Sequence, residues 1–246
     1  MSTTAERPAP APTEAADPEP RLQPRGVHHL AISTGDIKAQ IEFFSDVLGL
    51  ELVALYWMHG VEGAWHGFLK LDDHSYLAFV QIDGIADIPA ELGVTHAGNG
   101  GGKCAGGTMQ HVAFDVATKD ELLAMRDRLR DRGVHVMGPL EHGMCTSIYF
   151  AGPEQLSLEI STSEVAIDGN HWIDPEVVAL AGISEEELAR YRSPRTYERP
   201  AEPVPQPPLD SPMPQMAYPP KVYAALMTMP DAEVTARLSV TDPPVP

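Results

Sequence analysis

Two histidines and one glutamate stand where a metal ion could be held. His29 opens the stretch "HLAIS", His111 opens "HVAFD" 82 residues later, and Glu159 interrupts the otherwise apolar "LSLEIS". Two imidazoles and one carboxylate are the donor set that holds divalent iron on one face and leaves positions open for small molecules. Glu159 weighs most, because a charge inside an apolar strand costs about 2–7 kcal/mol unless it is paired or bound to metal. The alternatives are a Glu159 that faces solvent from a strand with one wet side, and histidines that serve only structure. His28 competes with its neighbour, but period-two alternation puts His29 on the side that His111 faces and turns His28 to the helix side or to solvent. An asymmetric set would use His66 or His74 in place of His29.

These donors sit in a pattern that occurs twice. Residues 27–82 read as a strand, "VHHLAIS", then an amphipathic helix, "GDIKAQIEFFSDVLGL", with Ile37, Ile41, Phe44 and Leu48 on its inner face and Gly49 as its stop. Three strand candidates follow, "LELVALYW", "WHGFLKLD" and "SYLAFVQI". Residues 109–161 repeat the order: "MQHVAFDV", a helix from Thr118 with Glu121 completing a capping box and Gly133 ending it, then "VHVMGPL", "TSIYFAG" and "LSLEIST". Aligning His29 with His111 and allowing one residue of slip pairs Ala78 with Glu159, which keeps the inward and outward alternation of the last strands in step. The expected fold is α+β. Paired β-α-β-β-β modules, 27–82 and 109–161, share a domain at 26–163 and curl their sheets around a common metal cleft where His29, His111 and Glu159 meet.

The segments outside the modules differ in texture. Residues 1–25 are mostly Pro, Ala, Glu and Thr and read as a disordered tail. The glycine-rich "HAGNGGGKCAGG" reads as a flexible linker between modules; it has no strand or G-K-[ST] context that would make it a phosphate loop. Residues 164–246 form a proline-rich, irregular extension with short helices, among them one capped by Asp174 with Pro175 at its first turn, one with a Ser184/Glu187 capping box, and "KVYAALMTM". Such an arm could wrap its own core or reach a second subunit.

Thirty-five acidic and 17 basic side chains leave a net charge of −18, which makes nucleic acid and anionic membrane poor partners. There is no run of about 20 apolar residues and no basic and apolar leader pattern at the start, so a cytoplasmic protein is expected. Cys104 and Cys145 are the only cysteines and are expected to be independent reduced thiols.

The doubled module, with "HHLAIST…IEFFSDVLGLELV" and "QHVAFDV…LRDRGVHVMGPLEHGMCTSIYFAGPEQLSLEI", resembles the vicinal oxygen chelate superfamily, which includes glyoxalase I, bleomycin-resistance proteins and type I extradiol dioxygenases. The resemblance spans about residues 25–163. It implies a metal on His29, His111 and Glu159, Fe(II) first and Mn, Zn or Ni as substitutes, because the fourth ligand position of the glyoxalase type is Ala78 here. It also implies that Tyr149, ten residues before Glu159, and His142 on the preceding loop act on substrate. The activity implied is an extradiol-type ring cleavage of a catecholic or related aromatic substrate by a homodimer. A non-redox lyase, isomerase or hydrolase of the same superfamily, or a module that sequesters a small molecule, are the alternatives. Two departures stand out. The acid–base histidine usual near Ala78 is missing, with His74 and His66 the nearest imidazoles, and the usual turn before the glutamate strand reads "AGPEQ". Phe68, Phe79, Phe114 and Met144 are candidate pocket walls, and Trp57 and Trp65 flank a candidate mobile edge.

Overall fold

The computed structural model describes residues 23–245, so the tail read at 1–25 lies outside the described residues except for its last three positions. The first module consists of β1 (His29–Ser33), α1 (Ile37–Glu42), β2 (Glu51–Trp57), β3 (Ala64–Lys70) and β4 (Tyr76–Ile82). Asp36 caps α1 by accepting the Ala39 N–H at 3.0 Å, and a wider turn at Phe43–Val47 continues the helix. Gly49, at φ 89°, then reverses the chain where a side chain would strike the Arg128 guanidinium. After the linker come β5 (Val112–Asp115), α2 (Lys119–Asp131), β6 (Met137–Glu141), β7 (Thr146–Ala151) and β8 (Ser157–Thr162). Thr118 caps α2 through the Glu121 N–H, and the Glu121 carboxylate takes the N–H of Ala117, one residue before the cap.

Each module makes a four-stranded sheet, β1-β4-β3-β2 and β5-β8-β7-β6, with its first and last strands parallel and the others antiparallel. Ala31 lies opposite Ala78 in one, and Ala113 opposite Glu159 in the other. Counted from the two histidines these are the same place, so Ala78 is the first-module counterpart of Glu159.

The modules are joined through the sides of their sheets that carry the helices. Leu69, Leu77 and Phe79 from the first sheet and Ile148, Phe150, Leu158 and Ile160 from the second belong to one apolar core with Phe44, Leu122 and Leu129 of the helical segments. The Phe44 ring lies 5.3 Å from Phe79 and 6.2 Å from Phe114, bridging the halves. At one seam Glu154, at φ 54°, accepts hydrogen bonds from Thr34 Oγ1 (2.6 Å), the Gly35 N–H (2.7 Å) and Gln40 Nε2 (2.7 Å).

The expectation that the sheets curl around a common metal cleft is therefore wrong for this chain. Both sheets remain open and separate, and no strand of one pairs with a strand of the other. The reason lies in which surfaces are apolar. Each sheet buries its helix side, the buried sides meet in one core, and the alternate residues that carry the candidate ligands are left on the sheet faces turned away from it.

The C-terminal extension adds α3 (Gly169–Trp172), α4 (Pro175–Leu180), α5 (Glu185–Arg192), α6 (Pro220–Thr228) and α7 (Asp231–Leu238), none of which contains a buried residue. Asp174 and Ser184 cap α4 and α5, the latter with the reciprocal Glu187 contact. The Trp172 ring sits against Gly143, where a side chain would collide with it at 2.8 Å. No helix among the described residues is long and apolar enough to cross a membrane. Both cysteines are free.

Candidate functional site

The outward face of the second sheet carries a connected polar cluster. Alternation along β7 and β8 puts Ser147, Tyr149, Glu159 and Ser161 on this face, with Tyr149 opposite Glu159 and Ser147 opposite Ser161. Glu159 is only 6% exposed. Its Oε1 accepts from Ser161 Oγ at 2.6 Å, Ser147 Oγ lies 2.7 Å from that hydroxyl, and Oε2 lies 3.0 Å from His111 Nε2. Burial by itself would raise the Glu159 carboxyl. Interactions with Ser147, Ser161 and Tyr149 and the proximity of His111 outweigh it and hold the group below the usual carboxylate range. Beside it the Tyr149 hydroxyl lies 2.9 Å from His142 Nε2. Burial raises the Tyr149 phenol, and the Glu159 charge raises it further, against a lowering contact with Ser147.

Gln110 orients this cluster from the strand start. Its Nε2 donates to the carbonyls of Asn99, Gly100 and Gly102 at 3.0–3.2 Å, which brings the glycine-rich segment across the face until Gly100 sits against the Tyr149 ring. Its Oε1 is thereby aimed at His111 Nδ1. In a neutral imidazole that contact assigns the proton to Nδ1 and turns the Nε2 lone pair toward the Glu159 carboxylate.

The outward face of the first sheet has the same register and different chemistry. Phe68 stands opposite Ala78 and His66 opposite Val80, the places held by Tyr149, Glu159, Ser147 and Ser161 in the second sheet. The face is a group of rings: His66 and Phe68 have centroids 4.4 Å apart, Tyr56 lies 5.9 Å from His66, Tyr76 lies 6.1 Å from Phe68, and His29 lies 5.4 Å from Phe68 and 6.2 Å from His66. His66 is 8% exposed, and its Nε2 is buried with no hydrogen-bond partner. Burial, followed by the nearby His29, holds its imidazole below the usual histidine range. His28 is exposed, with its Nδ1 3.0 Å from His29 Nδ1.

Of the residues expected at the site, the fold brings together His111, Glu159, Tyr149 and His142. It keeps His29 on the other module's face. Among the described residues no three His, Cys, Asp or Glu side chains gather in a way that could hold a metal ion. The donor chemistry suits a divalent ion, but one chain alone assembles two of the three donors. Phe79 and Phe114, read as candidate pocket walls, belong to the core instead, because their strand positions face the helices; Phe68 is on the outward face. Ser147 and Ser161 were not singled out from the sequence; the signal that marks them is a small polar residue two steps along from Tyr149 and from Glu159. Gln110 and Glu154 had no local signal, since their partners lie on segments that only the fold brings near.

The arrangement is that of a two-module α+β protein with a polar, carboxylate-centred cluster on one sheet face and an aromatic one on the other. Residues 26–160 match the family described as Glyoxalase/Bleomycin resistance protein/Dioxygenase superfamily, and the chain belongs to that superfamily. It is similar to biphenyl-2,3-diol 1,2-dioxygenase 3 of Rhodococcus globerulus, 25% identical over 139 residues that cover 56% of this chain; the match spans 63% of that relative's length. Solved structures with a similar fold include a glyoxylase/bleomycin resistance protein/dioxygenase domain from Frankia sp. EAN1pec, 13% identical over 57% of this chain and 99% of that one with a TM-score of 0.45. A fosfomycin resistance protein from Listeria monocytogenes is 15% identical over 59% of this chain and 96% of that one, with a TM-score of 0.40.

Proposed function

We propose that this protein is a metal-dependent enzyme that acts on a small aromatic diol, a ring-cleaving dioxygenase of the extradiol type. His29, His111 and Glu159 serve as ligands to a divalent ion, iron in the working enzyme, and His29 comes from a second copy of the chain. The observation that carries this reading is the pairing of His111 with Glu159. With Gln110 engaging Nδ1, the Nε2 lone pair and a carboxylate oxygen, both acceptors, face each other at 3.0 Å. A cation between them reconciles the two, either a proton or a metal ion. The second copy is required because the face that carries His29 and the face that carries His111 and Glu159 look away from one shared core.

A bound divalent ion would lower the pKa of a coordinated substrate hydroxyl and stabilise the resulting anion. The chain's own residues then act around it. Tyr149 and His142, hydrogen-bonded to each other, offer a hydroxyl and an imidazole to substrate oxygens beside Glu159. Ser161 keeps Glu159 charged and fixed in orientation.

The test is metal content. Wild type loaded anaerobically with Fe(II) should bind an ion, and His29→Ala, His111→Ala and Glu159→Ala should each lose it. A mixture of His29→Ala and Glu159→Ala chains, unfolded and refolded together, should regain part of it, because one site of each mixed dimer then carries all three donors. No ion in wild type rejects the metal reading, and no recovery on mixing rejects the second copy. Oxygen uptake across a panel of catechols then tests the reaction.

The same His111–Glu159 contact favours a second reading, in which a proton alone satisfies the pair and the protein sequesters a small molecule without turnover. A metal-free wild type that still binds a catechol would select it.

A further inference from the structure

We infer that His66 is the residue that anchors the substrate's ring end, by hydrogen-bonding a ligand oxygen over the aromatic face of the first sheet. The inference rests on the proposed aromatic substrate and names the part of the protein that recognises it. Buried nitrogen without a partner is costly, on the order of 1–3 kcal/mol, so its presence in a folded chain calls for an explanation, and a ligand atom is one that also satisfies it. His66 Nε2 is such a nitrogen. Its counterpart by register, Ser147, is satisfied by Ser161, whereas the residue opposite His66 is Val80, which offers nothing.

The surroundings state the ligand's chemistry. Tyr56, Phe68 and His29 place their rings around the imidazole at centroid distances of 4.4–6.2 Å, Tyr76 stands behind Phe68, and the position that carries a carboxylate in the second sheet is the apolar Ala78 here. A planar ring fits such a face, and a hydroxyl or carbonyl on it supplies the missing partner of Nε2. An anionic or strongly polar aliphatic ligand does not fit. His74, the alternative imidazole nearest to Ala78 in sequence, is exposed in the turn before β4, where its backbone N–H is tied to Asp72.

Substitution separates recognition from stability. His66→Phe keeps a ring in the face and removes the orphaned nitrogen, so the folded protein should melt at the same or a higher temperature than wild type. Catechol affinity, measured by calorimetry on chelator-treated protein, should fall about tenfold or more, the loss of one buried hydrogen bond. His66→Gln, which keeps a polar end, should recover part of it. Cyclohexane-1,2-diol, with the same hydroxyls and no π face, should bind much more weakly than catechol to wild type. Metal content should match wild type in both variants. The proposal is overturned if His66→Phe binds catechol like wild type, if it melts lower, if it loses metal, or if wild type does not prefer catechol to the saturated diol. Because the binding arm uses no metal, its failure is distinct from a failure of the metal reading.

Discussion

The two sheets hold the same positions in the same register and use them differently. Around Glu159 the second sheet sets Ser147, Tyr149 and Ser161; around Ala78 the first sets His66, Phe68 and Val80. One face holds a carboxylate in a nearly dry place beside two serines, and the other has no serine beside the matching Ala78. The duplicated scaffold therefore carries a carboxylate among hydroxyls on one module's face and a group of rings, two of them imidazoles, on the other. Both depend on a core that belongs to neither alone.

The largest effect should come from that core. Phe44→Ala removes the ring that touches Phe79 and Phe114 and should cost about 3–5 kcal/mol. Both modules should lose structure in one transition, followed by fluorescence of Trp57 and Trp65 in a Trp172→Phe background for the first and by amide exchange of β7 and β8 for the second. Two separated transitions would break the picture of a single body.

Ala78→Glu asks whether the first face can be turned into the second. Ala78 is fully buried and has no serine beside it, so an introduced carboxylate should cost about 2–4 kcal/mol at neutral pH. Its folded-state pKa would lie above its unfolded value, so the penalty should shrink as the pH falls and the carboxyl takes up a proton. Denaturant unfolding at several pH values reads this sign. A carboxylate tolerated at neutral pH would mean that His66 can serve as its partner.

A smaller effect is expected from the reverse exchange. Ser161→Val gives the second face the residue that the first has at Val80. It removes the 2.6 Å hydrogen bond to Glu159 and should destabilise by about 1–3 kcal/mol. Val80→Ser in the first module is the control and should change stability less, because no buried charge depends on that position.

Much of this was legible from residue order. The double module shows in the two helix starts at Asp36 and Thr118, the glycine stops at Gly49 and Gly133, and the alternation of the last strands. Glu159 announces itself because a charge in "LSLEIS" demands a partner. His142 and Tyr149 lie on one hairpin, so their meeting needs little beyond local pairing. Glu154 was invisible by comparison, since "AGPEQ" says nothing of Thr34, Gly35 and Gln40 across the seam.

By itself the sequence determined which residues form each module and which side of each strand they occupy, because a period of two and a helix cap are local properties of the chain. Only the tertiary structure decided how the modules meet. Apolar burial is non-directional, and the alternation of one strand does not say which apolar side of the other module it will meet. The closure of Phe44, Phe79 and Phe114 into one core chose the helix sides and left His29 facing away from His111 and Glu159.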